Sequence, residues 1–189
     1  VLGGRAMERV YTDHELMASL ERAFLAAPER SVLIDRFLDG AIEIDVDALS
    51  DGESVYVAGI LQHIEEAGIH SGDSACVLPP YDLSQAMVQE IKEATRAMCR
   101  ELKIIGLINI QFAIKDGKVY VIEANPRASR TTPFIAKAYQ IPYLNIATKI
   151  MMGVNKLKDF TYEKKLTGFA IKEPVFSFDK FPNVNKELG

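Results

Sequence analysis

The sequence predicts an α+β fold in which antiparallel β-hairpins are interleaved with helices. Three observations carry this expectation. Asp51-Gly52 and Asp116-Gly117 are hairpin turn signals, each set between runs of alternating or β-branched residues. Apolar residues at helical spacing fill the segment between the hairpins, and Ser84 stands where its cap belongs. Hairpins in this order break the strict strand–helix alternation that a doubly wound parallel sheet requires.

Residues 1–4 read as a glycine-containing loop that leads into a short strand at residues 7–11. Thr12 or Asp13 caps a helix running to about residue 27, with Leu16, Leu20, Phe24 and Leu25 on its apolar face and Pro28 as its stop. The apolar run 31–37 reads as a buried strand. From 41 to 48 the chain alternates, with Ile42, Ile44 and Val46 on one side and Glu43, Asp45 and Asp47 on the other. That pattern predicts a strand with one solvated face. The turn at Asp51-Gly52 returns residues 54–62 as its partner, and residues 63–75 are expected to form an irregular polar loop.

The helix capped by Ser84 extends to about residue 102, with Met87, Ile91, Ala94 and Met98 on one side. Strands at 104–115 and 118–124 flank Asp116-Gly117. Two short helices follow at 130–140 and 143–152, punctuated by Pro142 and Gly153, and the lysine-rich tail holds one strand at 168–175. The expected division is a main domain over 1–153 and a tail strand with linker over 154–189.

Composition excludes several classes. Of 189 residues, 48% are hydrophobic and 25% charged, which is enough apolar material to bury a core. The net charge of −4, with signs mixed along the chain, offers no basic stripe for a nucleic-acid partner. No apolar run approaches the roughly 20 residues of a membrane helix. Cys76 and Cys99 make neither a disulfide framework nor a metal spacing, and fit a reducing cytosol. The sequence opens on Val-Leu-Gly-Gly without Met or signal peptide, so it is expected to be a piece of a longer protein.

Chemistry concentrates on the second hairpin. A two-residue turn at Asp116-Gly117 would set Glu123 opposite Ile110 and place Tyr120 and Ile122 on the polar face. A register shifted by one, through a three-residue loop or a bulge at Gly117, sets Glu123 opposite Gln111 and collects the large apolar residues of the first strand with Tyr120 and Ile122 on the other face. Burial selects the second register. Asn109, Gln111, Glu123 and Asn125 then share one face. Amide and carboxylate oxygens without lysine suit a hard divalent cation such as magnesium; the alternative is a solvated sheet face. Pro126 ends the strand, and Arg127 and Arg130 follow, two guanidiniums able to grip phosphate or carboxylate in bidentate fashion. As a mere surface cap they would oppose the dipole of the next helix.

The run Val121-Ile122-Glu123-Ala124-Asn125-Pro126-Arg127-Ala128 resembles the signature of the carbamoyl-phosphate synthetase large subunit, within the ATP-grasp superfamily. Gly68-Ile69-His70-Ser71-Gly72-Asp73-Ser74 is similar to its second hallmark, and Leu2-Gly3-Gly4-Arg5-Ala6-Met7-Glu8 to its phosphate-covering loop. Biotin carboxylases and D-alanine ligases continue differently after the acid and Asn. His70-Ser71-Gly72, Ala75-Cys76 and Arg130-Thr131-Thr132-Pro133-Phe134 look like the second, carbamate-phosphorylating half of that subunit.

The resemblance implies a partial ATP-grasp fold and ATP with Mg2+, for which Mn2+ can substitute. Gln111, Glu123 and Asn125 match the metal ligands, and Glu123 would bridge two ions. Arg127 and Arg130 match the arginines on the transferred phosphate and the small anionic substrate. Backbone groups of Arg36 and Leu38 match the adenine-reading hinge, and Glu43 matches the acid on the ribose. Gly3 and Gly4 match the loop over the phosphates, while Gly68, Ile69, His70 and Ser71 match a nucleotide-contacting loop. His63, Glu65 and Ser71 lie where the family holds K+. Read from residues alone, Glu43 is better taken as one more solvated acid beside Asp45 and Asp47, His70 is equally a loop histidine, and Gly3-Gly4 a plain turn.

The implied partners are a glutamine amidotransferase small subunit and the other ATP-grasp half, in the cytoplasm. The family's upstream lobe, with an arginine just before the glycine loop, is expected to be missing, so this piece alone is not expected to turn over. Two other readings stay open: an ATP-grasp ligase acting on a different carboxylate and amine, and a non-catalytic nucleotide-sensing or assembly module.

Overall fold

The computed structural model describes residues 8–69, 72–161, 166–175 and 180. The chain forms two compact units, Val1–Asp39 and Gly40–Gly189. In the first, α1 (Asp13–Ala26) starts at Thr12, whose hydroxyl accepts the Glu15 N–H at 3.2 Å. Glu15 in turn accepts the Tyr11 N–H at 2.8 Å, so the two side chains satisfy free donors on both sides of the helix start.

The expected strand at 31–37 is absent. Residues 31–38 carry no regular structure, and Leu33 and Ile34 are 83% and 60% exposed. An apolar run becomes a strand only with a partner to take its backbone hydrogen bonds, and this unit holds no strand among its described residues. Residues 8–11 are likewise not a strand, and Met7, where that expected strand begins, lies outside the described residues.

The second unit is built on a six-stranded sheet in the order β5-β4-β1-β2-β3-β6, antiparallel at every pairing. Its strands are β1 (Ile42–Asp51), β2 (Val55–Glu66), β3 (Cys76–Leu78), β4 (Ile105–Lys115), β5 (Lys118–Asn125) and β6 (Ala170–Lys172). Helix α2 (Gln85–Glu101), capped by Ser84 as expected, covers one face with Ile91 and Cys99 against Ile44, Val46, Ile108, Ile110 and Phe112. Helices α3 (Thr132–Tyr139) and α4 (Tyr143–Met151) cover part of the other, with Ile135, Tyr143 and Ile146 against Leu49, Ala58 and Leu61. Helix α3 lies so close to β2 that a Cβ on Gly59 would sit 2.8 Å from Cδ1 of Ile135. Both cysteines are buried free thiols, Cys76 in one core and Cys99 in the other. Among the described residues, no helix is long and apolar enough to cross a membrane.

Other differences from expectation have local causes. The segment 63–75 is not one loop: β2 continues to Glu66, and β3 begins at Cys76 because Gln62 and His63 pair with Val77 and Cys76. The tail strand is three residues long, set by its pairing with β3. A one-turn 3-10 helix, Leu157–Asp159, was not anticipated.

The face carrying Glu43, Asp45 and Asp47 is not solvated; these acids are 7%, 1% and 1% exposed. Alternation separates two faces of a strand, but only the covering elements decide which face is dry. Here β1 is an inner strand, and its polar face is roofed by the loop preceding α3 and by His63 from β2.

Candidate active site

The second hairpin sets Gln111 opposite Glu123 and Asn109 opposite Asn125, the expected facing pairs. The device differs. Asp116 and Gly117 form a two-residue turn with φ of +51° and +72°, and Lys115 pairs directly with Lys118. The register shift falls farther along, between Gln111 and Phe112, so that Ile122 is the extra residue. Near the turn, Tyr120 therefore faces Ala113, and it is Val119 that joins the apolar face beside Ile114. A bulge at Gly117 was unnecessary because glycine and aspartate tolerate the left-handed backbone that closes the tighter turn.

Beyond Asn125 the chain bends at Pro126, where Arg127 N–H donates to Asn125 O at 2.8 Å. The loop then folds around one hydroxyl. Ser129 Oγ accepts the N–H groups of Thr131 and Thr132 at 3.1 and 3.0 Å, serving two of the free donors at the start of α3. This knot is tied to the sheet at Asp47. Thr131 Oγ1 and Ser129 Oγ donate to Asp47 Oδ2 at 2.6 and 2.8 Å, and Asn109 Nδ2 donates to Oδ1 at 3.3 Å. Burial pushes the Asp47 carboxyl up, against the pull of the Thr131 and Ser129 hydrogen bonds, and Asp45 adds to the rise, which reaches about 6.

Beside Asp47 lies a buried histidine. His63 Nε2 is 3.1 Å from Asp45 Oδ2 and its Nδ1 is 3.8 Å from Glu43 Oε1. Burial alone would lower the imidazole pKa; the Asp45 hydrogen bond, the Cys76 sulfur and the Glu43 carboxylate outweigh it and raise it to about 10. The ring is thus a cation held between two acids, with Nε2–H donating to Asp45. Its Nδ1 has no hydrogen-bond partner among the described residues. Glu43 Oε2 accepts the Gly68 N–H at 3.2 Å, bringing one predicted nucleotide residue onto another.

Gln111, Glu123, Arg127 and Arg130 open together, with Asn109, Ala128 and Ser129, onto a cleft of about 340 Å³. Asn125 Nδ2 donates to Glu123 Oε1 at 2.8 Å, which ties the carboxylate to the end of β5. Arg127 and Arg130 are exposed, and no ion pair engages either guanidinium among the described residues. One carboxylate with neighbouring amide oxygens fits a hard divalent cation that takes its remaining ligands from phosphate and water. Among the described residues there is no group of three or more His, Cys, Asp or Glu of the kind that makes an all-protein metal cage.

The other predicted positions fall elsewhere. Glu65 accepts the Ala75 N–H at 2.8 Å, and Ile69 O accepts the Ser74 hydroxyl at 3.3 Å. Arg36 and Leu38 belong to the first unit, Arg36 exposed and Leu38 half-buried. Gly3, Gly4, His70 and Ser71 lie outside the described residues. Asp45, Asp47 and Ser129 were not singled out from sequence. The available signal was a Ser-x-Thr-Thr run just before a helix, a hydroxyl-rich cap in search of an acceptor.

A family model described as "Carbamoyl-phosphate synthase L chain, ATP binding domain" matches residues 1–159. The carbamoyl phosphate synthase large chain of Archaeoglobus fulgidus is 54% identical over 191 residues, covering 100% of this chain and 18% of that protein. The Methanocaldococcus jannaschii protein described as the "C-terminal section" of such a large chain is 50% identical over 200 residues, covering 100% of this chain and 32% of its own. The chain thus spans between about a fifth and a third of these relatives.

Among solved structures, Rhizobium etli pyruvate carboxylase superposes with a TM-score of 0.70 at 18% identity, over 89% of this chain and 16% of that one. The biotin carboxylase domain of a single-chain bacterial carboxylase gives 0.64 at 19% identity, over 85% and 42%. At such identities the likeness establishes the fold, a partial ATP-grasp domain of the α+β class. With the family match spanning most of the chain and half of all residues shared with its relatives, the chain belongs to the family of carbamoyl-phosphate synthase large-chain ATP-binding domains.

Proposed function

We propose that this chain supplies part of the ATP site of a carbamoyl-phosphate synthetase, and that the site phosphorylates carbamate with ATP to give carbamoyl phosphate and ADP. The single observation that carries the reading is the cleft on which Gln111 and Glu123 meet Arg127 and Arg130. It joins oxygen donors for a metal–nucleotide complex to two exposed guanidiniums for transferred phosphate and anionic substrate.

In this reaction a carbamate oxygen forms a bond to the γ-phosphorus while the bond to the β–γ bridging oxygen breaks, and ADP leaves with that electron pair. No side-chain nucleophile is needed, so the protein's work is positioning and charge stabilisation. Gln111 and Glu123 would hold Mg2+, or Mn2+ in its place, with Asn125 orienting the acid. When bound, the ion supplies neutralisation of phosphate charge. Arg127 and Arg130 orient the γ-phosphoryl group and carbamate, and stabilise the charge that develops on the equatorial oxygens. Glu43, aimed by Gly68 and the His63 cation, would take the ribose hydroxyls. Arg36, Leu38, Gly3, Gly4, Ile69, His70 and Ser71 complete the proposed nucleotide contacts, with K+ bound near Glu65.

Assignment to the carbamate-phosphorylating half draws support from the match, over all of this chain, to part of a relative described as a C-terminal section. It also draws on Arg130-Thr131-Thr132-Pro133-Phe134. The proposed partners are the other ATP-grasp half and a glutamine-hydrolysing small subunit, in the cytoplasm. The test is Glu123→Gln in the full-length enzyme. Carbamoyl-phosphate formation should be lost while thermal unfolding stays within a degree or two, because Glu123 is exposed. Normal turnover would remove the assignment.

A further inference from the structure

The scheme above leaves Asp47 idle, although this acid is 1% exposed and bonded to three side chains from two other segments. We infer that Asp47 is a positioning residue: by holding Ser129 and Thr131 against β1, it sets where Arg127 and Arg130 stand over the cleft. The consequence for catalysis rests on the proposed phosphoryl transfer; the positioning itself does not.

The loop that carries the arginines has no ladder to locate it. Residues 126–131 lie between the end of β5 and the start of α3, and their hydrogen bonds are mostly to one another. Beyond the Arg127 N–H bond to Asn125 O at its root, its hydrogen bonds to the sheet among the described residues are the hydroxyls of Ser129 and Thr131 on one oxygen of Asp47. The alternation of burial shows the division of labour. Thr131 and Thr132 are 2% and 1% exposed, whereas Arg127 and Arg130, on the same short loop, are open to solvent. An exposed arginine spends rotamer entropy whenever it grips a ligand, so a fixed backbone beneath it lowers the cost of reaching one geometry.

A carboxylate is also the group that fits. One Asp47 oxygen accepts two hydroxyl donors and the other accepts from Asn109 Nδ2, which also points at Asp45 Oδ1 at 3.5 Å. An amide at position 47 would retain a single acceptor oxygen and present its NH2 either to the two hydroxyls or to the NH2 of Asn109. Turning Asn109 over would then cost its approach to Asp45. Negative charge at this point further complements the N-terminus of α3, whose own N-cap Thr131 makes no side-chain cap bond within the helix.

The test uses the full-length enzyme with Asp47→Asn, Thr131→Val and Thr131→Ser. Amide hydrogen exchange is followed over residues 126–132, with α2 and β4 as internal references. Alongside it, ATP formation from Mg-ADP and carbamoyl phosphate is measured as the proposed reaction in reverse. Asp47→Asn and Thr131→Val should accelerate exchange of the loop at least tenfold and leave the references unchanged. They should lower kcat about tenfold and raise KM for carbamoyl phosphate, with KM for ADP within twofold. Thr131→Ser, which keeps the hydroxyl, should behave as wild type. Unchanged loop exchange in Asp47→Asn would overturn the inference, as would acceleration spread evenly over the sheet, the sign of a purely structural acid. If wild type forms no ATP from carbamoyl phosphate, the functional reading fails, and the exchange pattern still decides the role of Asp47.

Discussion

Thr131 Oγ1 donates to Asp47 Oδ2 across 2.6 Å, joining residues 84 positions apart in the chain. This bond connects the inner strand of the sheet to the loop that carries both arginines. It is short, buried and made to a carboxyl oxygen, the combination in which a hydrogen bond is worth most.

Removing it should be costly. Thr131→Val keeps the shape of the side chain and deletes the donor, leaving Asp47 short of one partner. Amide exchange of the loop should show its local opening made easier by about 1–3 kcal/mol. Thr131→Ser should lose less than about 1 kcal/mol, since only a methyl group goes.

Gly59 provides a steric test of the packing between β2 and α3. Gly59→Ala places a Cβ 2.8 Å from Ile135 Cδ1 and 3.1 Å from its Cγ2, and Ile135 is fully buried. Overpacking of this kind costs about 1–3 kcal/mol. Adding Ile135→Val should recover part of that loss, a coupling that a double-mutant cycle will read directly.

His63 makes stability depend on pH. Its pKa is raised from 6.5 to about 10, so the folded state binds the proton more tightly than the unfolded state. The resulting stabilisation is fully present below about pH 6.5 and is lost as pH rises through about 10. Chemical denaturation from pH 6 to 10 should show wild type losing stability across that window, and His63→Gln losing less. A steeper loss in the variant would contradict the cationic assignment.

The arginines should separate activity from stability. Both are exposed and outside any ion pair among the described residues. Arg127→Ala and Arg130→Ala should therefore stay within about 0.5 kcal/mol of wild type. Carbamoyl-phosphate formation should nevertheless fall at least tenfold, and Arg130→Lys should restore it only in part, because an ammonium cannot make the bidentate contact. Steady-state assays of the full-length enzyme with parallel thermal melts test both statements.

Much of this was legible in the residues. The turns at Asp51-Gly52 and Asp116-Gly117, the cap at Ser84 and the facing pair Gln111 and Glu123 depend on interactions within a few residues or across one hairpin, and all stand where the pattern placed them. The register came out right while its cause was misplaced. Requiring Glu123 to face Gln111 fixes that a residue is bulged, but Ile122 and Gly117 satisfy the count equally well until the backbone closes its turn.

By itself, then, the sequence determined the α+β class, the order of hairpins and helices, the acid–amide face and the two arginines beside it. Tertiary structure alone decided which acids are dry and what holds the arginine loop. Glu43, Asp45 and Asp47 look like a solvated stripe because alternation is a property of one strand, while burial belongs to whatever lies above it. Here that cover comes from β2 and from residues more than 80 positions away, and a contact over such a distance leaves no period in the chain.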